Sequence, residues 1–323
     1  MSVRVIPRLF ASLMVCALLA AVHRPVLAQD NAEAEKLRAL ALELVNKSRA
    51  EQKLPSLQLA KDANEAARAH AADMLKRGFF DHNSPEGKTP QDRFVKAGGS
   101  RWRLTAENIA LCTGCMPDAA RLEEFHRGWM NSKGHRENIL RKGLTQFGFA
   151  IAAAPGRPVY GVQTFNGPGL PNGLGPNEQP KRLSDAEAAA KALELLNKER
   201  KANGRPAFAE SPALSKAARA LLPAKSLDDF SMAQLNKFKD KLPAAERADW
   251  QGLTTLAISC GGCGGEPTDI DVRSFVRQWL ADPKNKERML NPDNTHLGFA
   301  LAANGNGKKV ALSVLGKKQP KQP

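Results

Sequence analysis

The chain has 323 residues, 6% of them aromatic, and a formal net charge of +15. That length suggests about two domains, each able to bury a core without disulfide scaffolding, and the core must rest on Leu, Ala, Val and Ile. The positive charge is dispersed and no recognition motif accompanies it, which argues against specific nucleic-acid binding. Envelope polyanions or simple solubility account for it better.

Residues 1–28 read as a secretory signal peptide. Arg4 and Arg8 precede an apolar run from Leu9 to Val22, and Val26-Leu27-Ala28 offers a small residue before the cut. The run is short for a membrane span. Removing this segment takes away Arg4, Arg8 and Arg24, so the net charge falls from +15 to +12. No later stretch is apolar enough to span a bilayer, so the expected product is exported, to the periplasm or beyond.

In the mature chain, Leu37, Leu40, Ala41, Leu44 and Val45 recur at helical spacing, predicting a helix over 32–53. A second helix is expected from Ser56 to Arg77, stopped by Gly78. An aromatic pair, Phe79-Phe80, then runs into the polar turn Asp81-His82-Asn83-Ser84-Pro85. Thr89-Pro90 opens a short helix to Ala97, and residues 105–111 form a short extended or turn segment. Pro117-Asp118 begins a helix carrying His126 and Trp129, and strands at 145–153 and 158–165 close the unit. Residues 167–181 are a Gly/Pro-rich linker.

The second half repeats the first. Trp129 and Gly148 are 19 residues apart, as are Trp279 and Gly298, and Gly298-Phe-Ala-Leu-Ala-Ala303 echoes Gly148-Phe-Ala-Ile-Ala-Ala153. Asn46-x-x-Arg49 recurs as Asn197-x-x-Arg200. Shared anchors at one offset indicate a duplicated domain. The expected layout is a first unit at 32–166, the linker, a second unit at 182–316 and a basic tail at 317–323. In the second unit, Ser184-Asp185 starts a helix and Ser211–Leu222 forms another. Residues 223–250 read as a charged helical replacement for the His-bearing turn. A helix at 268–281 and strands at 297–303 and 309–315 complete an α+β arrangement of layers.

Each unit holds one C-x-x-C pair, Cys112/Cys115 and Cys260/Cys263. In an exported protein a small-loop disulfide in each is the expected state. A four-thiolate zinc site would need the two pairs to meet. Redox chemistry would want the motif opening a helix, whereas Gly114 and Gly261-Gly262 read as loop.

The residues that could carry chemistry lie in the first unit. Glu107-Asn108 interrupts an apolar stretch, and a carboxylate buried there must find a partner such as a His. His82 sits in a polar turn and His135 follows Gly134 at a helix start. His70, on the apolar side of its helix, reads as a satisfied core histidine, and His126 as structural. Ser84 and Ser132 read as turn and helix-end residues, and no nucleophile setting is recognisable. The second unit drops this set: Asn285 stands at the His135 position, Thr255 near that of Glu107, and His296 is its one histidine.

The motifs Asn46-x-x-Arg49, Phe79-Phe-Asp-His82-x-Ser84-Pro85, Ala106-Glu-Asn-Ile-Ala110 and Trp129-Met-Asn-Ser-x-Gly-His135-Arg-x-Asn-Ile-Leu140, with the Gly-Phe-Ala strand, carry a resemblance. In this order they resemble the CAP superfamily (cysteine-rich secretory proteins, antigen 5, pathogenesis-related 1; SCP domains), in its bacterial exported branch. The resemblance covers about residues 35–166. It implies an α-β-α sandwich, here in two tandem copies with the second degenerate. It also implies a cleft to which His82, Glu107 and His135 belong by motif match, with Asn108 beside them. The family's second Glu is replaced by Ser132, and the strand that normally follows its second His reads Gly143-Leu-Thr-Gln, so His135 takes that part.

Two His and one Glu match an open zinc site in ligand count. A divalent cation such as zinc at His82 and His135 is therefore an expectation. The leading expectation is a binding module for a lipid-like, glycan or small envelope ligand, anionic ligands included. The alternative is a metal-assisted hydrolase of peptidase or cell-wall amidase class using His82, Glu107 and His135. A third reading makes the second unit a protein-interaction surface that recruits the first.

Overall fold

Helical spacing of Leu37, Ala41 and Val45 buries one stripe of α1 (Ala32–Glu51). The computed structural model describes residues 32–222 and 224–319; the signal segment and the end of the basic tail lie outside them. Among the described residues no helix is long and apolar enough to cross a membrane.

The first unit continues with β1 (Gln58–Leu59), α2 (Lys61–Arg77), α3 (Pro90–Lys96), β2 (Leu104–Cys112), α4 (Ala119–Asn131), α5 (Lys133–Ile139), β3 (Gln146–Ala152) and β4 (Val159–Gly167). Its sheet has the order β1-β3-β4-β2, with β1 parallel to β3 and the longer pairs antiparallel. One face packs Phe147, Phe149 and Phe165 with α1 and α4 side chains, and the other packs Ile109, Tyr160 and Val162 with Met74 and Ala71 of α2. Helices thus cover both faces of one sheet.

Local chemistry sets the helix ends. Thr89 and Asp92 form a reciprocal capping box at the start of α3, with Pro90 in its first turn. Asp118 caps α4 by accepting from the Arg121 N–H, and Gly78 ends α2 in a left-handed conformation at φ 72°. The second helix starts at Lys61, not Ser56. Gln58 and Leu59 pair with Gln146 and Phe147 instead, because their backbone groups complete the sheet edge. Residues 104–112 form a full nine-residue strand, longer than the short extended or turn segment expected over 105–111.

The second unit repeats this with α6 (Asp185–Ala202), β5 (Ala209–Glu210), α7 (Pro212–Ala220), α8 (Ala244–Arg247), β6 (Trp250–Cys260), α9 (Asp269–Ala281), α10 (Pro283–Leu290), β7 (His296–Ala303) and β8 (Lys309–Lys318). Its sheet order, β5-β7-β8-β6, is that of the first. Between α7 and α8 the chain makes three short 3-10 turns within 224–241 rather than a long helix. Leu227, Phe238 and Leu242 anchor them against α7, so packing and not helical periodicity shapes this stretch.

Arg49 and Arg200 are the matching pins of the two copies. Arg49 is fully buried and donates to the carbonyls of Pro55, Ile139 and Arg141 at 2.8–3.0 Å. Arg200 does the same for Pro206, Met289 and Asn291 at 2.5–3.1 Å. Each guanidinium joins the first helix of its unit to the loop beyond α5 or α10, and so fixes the helix that carries His135 or its replacement.

Candidate functional site

The site lies at the open edge of β2, an edge strand paired only to β4. Strand alternation turns Glu107 toward α2 and α3 and Asn108 toward α4 and α5. Trp129 of α4 donates its indole N–H to the Ile109 carbonyl at 3.0 Å, which fixes α4 on this strand.

Glu107 is the hub, with its side chain 2% exposed. Its Oε1 accepts from His82 Nδ1 at 2.9 Å and lies 3.7 Å from His70 Nε2. Its Oε2 accepts from the Arg93 guanidinium at 2.7 Å. The same guanidinium donates to the carbonyls of His82 at 2.8 Å and Lys88 at 2.9 Å. Arg93 therefore holds both the carboxylate and the loop bearing His82. His70, fully buried, donates from Nε2 to the Asp81 carbonyl at 2.9 Å and braces that loop from below.

His82 is half exposed, and its Nδ1–H is committed to Glu107, so in the neutral ring Nε2 is the available lone pair. Asn108 is fully buried and does not face the cleft. Its amide donates to the His135 carbonyl at 3.2 Å and to Gln163 Oε1 at 3.1 Å, while Asn138 donates to its oxygen at 3.0 Å. Asn138 also donates to the Glu107 carbonyl at 3.0 Å. Asn108 is thus a support for α5 rather than a lining residue. His126, away from this set, shares a hydrogen bond with Ser48 at 3.0 Å.

The three histidines are tuned in opposite senses. The hydrogen bond to Glu107 raises the pKa of His82 above the ordinary imidazole value. Burial lowers those of His70 and His135, and the His82 charge lowers that of His135 further. An NMR titration is expected to show His82 gaining its proton at higher pH than His135. Between the two midpoints the cleft holds one imidazolium and one neutral imidazole. The sign for stability follows: the His82–Glu107 contribution is fully present below the unfolded imidazole pKa and is lost as pH rises through the raised folded value. In Glu107→Gln the His82 midpoint should fall, and an unchanged midpoint would remove Glu107 as the cause.

The residue types fit a metal only in part. Both oxygens of Glu107 are taken by Arg93 and His82, and a guanidinium 2.7 Å away repels a cation. Among the described residues no group of three or more His, Cys, Asp or Glu side chains is arranged to hold a metal ion. The donor set thus does not fit a centre with Glu107 as third ligand, and of the two imidazoles it is that of His82 which Glu107 orients. The same ion pair leaves Glu107 ill placed as a general base.

Beside His135 a groove of about 420 Å³ runs between β2 and α4, lined by Ile109, Ala110, Leu111, Phe125 and Trp129 among others. Both C-x-x-C pairs form disulfides, with Cα atoms 6.0 Å apart for Cys112–Cys115 and 6.1 Å for Cys260–Cys263.

A family model for cysteine-rich secretory proteins, CAP, matches residues 42–165 and again 193–315. The chain belongs to the CAP family. Both of its units are CAP domains in tandem, α+β in fold. Over 107 residues, a third of this chain and 39% of the relative, it is 37% identical to the uncharacterized protein YkwD of Bacillus subtilis. An extracellular SCP-domain protein of Bacillus anthracis is 28% identical over 41% of this chain and 40% of that one, with a TM-score of 0.34. Na-ASP-1 aligns over 91% of this chain and 92% of its own at 10% identity, with a TM-score of 0.41. The chain therefore spans about two fifths of the length of the YkwD and Bacillus anthracis proteins.

The second CAP domain lacks the site at every register position. Thr255 pairs with Val314 where Glu107 pairs with Thr164, and Leu256 takes the place of Asn108. Residue Arg93 of the first domain was the element least visible in the sequence. Its one signal is a cation one helical turn beyond a Thr-Pro helix start, next to a His-bearing loop.

Proposed function

We propose that this is an exported CAP protein whose first domain is a binding module for a small envelope ligand, with His82 and His135 meeting its polar or anionic end. The observation that carries this reading is the saturation of Glu107 by Arg93, His82 and the neighbouring His70. A carboxylate so paired orients the His82 imidazole and is not itself free to act as a base. The apolar groove beside His135 suits an aliphatic portion, which favours an amphiphilic ligand over a glycan. Export is supported by the signal-like residues 1–28 and by two disulfides. A divalent cation, if recruited, would sit on His82 and His135 and supply a charge for an anionic headgroup.

The test is binding of a fluorescent long-chain fatty acid to the mature chain. The double variant His82→Ala/His135→Ala should bind about tenfold more weakly, and unchanged affinity would sink the assignment. Zinc titration calorimetry on the same pair reports the cation separately. Peptide or peptidoglycan turnover lost on chelation and restored by zinc would replace the binding reading with hydrolysis.

A further inference from the structure

The ion pair Arg93–Glu107 joins two elements that one short loop also joins. Arg93 lies in α3, Glu107 lies in β2, and residues 97–103 run between them. The α3 end of this loop is held within the first domain. The Gly99 N–H donates to the Phe94 carbonyl at 3.0 Å, and Phe94, next to Arg93, is fully buried.

The β2 end of the loop is held by the other domain. The Gly262 N–H donates to the Trp102 carbonyl at 2.8 Å, and Asn306 accepts from the Arg103 guanidinium at 2.9 and 3.2 Å. Lys308 is 2% exposed, and its Nζ lies 4.2 Å from the centre of the Trp102 ring while donating to the Asp228 carbonyl at 2.9 Å. A desolvated cation over an indole is a stronger contact than an exposed one. The neighbouring strand runs into the same seam: Gly167 of β4 pairs with Leu104, and the next carbonyl, that of Pro168, accepts from the Gly264 N–H at 2.7 Å. A Cβ at Gly307 would stand 2.5 Å from the Trp102 carbonyl, so the fit leaves no slack.

We infer that the second CAP domain is a clamp that positions the His82–Glu107–Arg93 cluster of the first, with Trp102 and Lys308 as the positioning residues. The clamp grips the chain between the two partners of the ion pair, so slack at Trp102 lets α3 and β2 shift against each other. Glu107 reaches His82 at 2.9 Å from β2, and Arg93 holds the His82 carbonyl at 2.8 Å from α3. Such a shift spoils both alignments, and hydrogen bonds weaken steeply with angle. The domain that lacks the His and Glu set thus has a task that needs only its scaffold. The inference concerns the geometry of the cluster, whatever ligand the cleft takes.

The test is an NMR titration of His82 in the full mature chain, comparing wild type with Lys308→Met, Lys308→Arg and Trp102→Ala. The charged and titratable groups facing His82 are Glu107, Asp81, Arg93 and His135, with His70 behind Glu107, all in the first domain. By charge alone, removing the Lys308 cation would raise the His82 midpoint, whereas slackening the Glu107 contact lowers it. The sign therefore separates the two causes. Lys308→Met should lower the midpoint by about half a unit and Trp102→Ala by as much or more. Lys308→Arg, which returns a cation to the ring, should restore it. Arg200→Ala weakens the second domain away from the seam and should leave the midpoint unchanged, read at a temperature where every variant is folded. A merely structural seam would lower melting temperatures and leave the midpoint where it is. An unchanged or raised midpoint in Lys308→Met, a fall that Lys308→Arg does not restore, or an equal fall in Arg200→Ala would overturn the inference. No ligand enters the measurement, so its failure and that of the binding reading are told apart.

Discussion

Glu107→Ala is expected to destabilise the first CAP domain by about 3–5 kcal/mol, the range for removing one partner of a buried ion pair. The Arg93 side chain is 10% exposed and its carboxylate partner 2%, so the truncation strands a cation with little access to water. His70 loses its neighbour in the same step. Urea denaturation of the isolated mature chain measures the effect, with Thr255→Ala as the matching change in the second domain. The second substitution should cost under about 1 kcal/mol, since Thr255 carries no comparable charge. Near-equal losses would show that the Glu107 cluster is not what the first domain leans on. Glu107→Gln should fall between, keeping the shape of the side chain but not its charge.

Arg49→Ala and Arg200→Ala are expected to cost about 3 kcal/mol or more each. In both cases three or four loop carbonyls lose their donor, at about 1–3 kcal/mol for each group left buried and unsatisfied, less what water recovers. Lysine should not rescue either position, because its point charge cannot span carbonyls that the guanidinium fork reaches at once. Differential scanning calorimetry checks both, and a melting temperature within a degree of wild type would contradict the pinning role. Arg49→Ala should also loosen the helix bearing His135 and weaken ligand binding. Arg200→Ala should leave the cleft intact.

These two clusters differ in how far the sequence revealed them. The duplicated Asn-x-x-Arg motif, the shared Trp-to-Gly interval and the caps at Thr89, Asp118 and Ser184 are local or periodic signals, and the fold follows from them. The Glu107–His82 pairing was legible through the motif order and through the cost of burying a carboxylate alone. His70 was legible as a satisfied core histidine, but its approach to Glu107 and the part of Arg93 were not, because these arise only when α2, α3 and the edge strand converge. Asn108 shows a different limit. Reading residues 105–111 as extended or turn hid the strict alternation of a strand, which sends neighbours 107 and 108 to opposite faces. A two-residue strand such as β1 leaves no pattern at all, since its backbone and not its side chains decides its place.

Part of the seam between the two domains is main chain against main chain, with Gly169 and Gly307 approaching carbonyls where a Cβ would not fit. Glu178 of the linker is ion-paired to Arg273, and Lys181 is hydrogen-bonded to Asp269. The main-chain part of such a joint records distances and not side-chain identities. Over evolutionary time the surfaces around it are free to drift, while a single residue inserted between 167 and 181 would throw the two halves out of step. Lineages carrying this pair should therefore vary in the cleft of the second domain far more than in the length of the segment that leads to it.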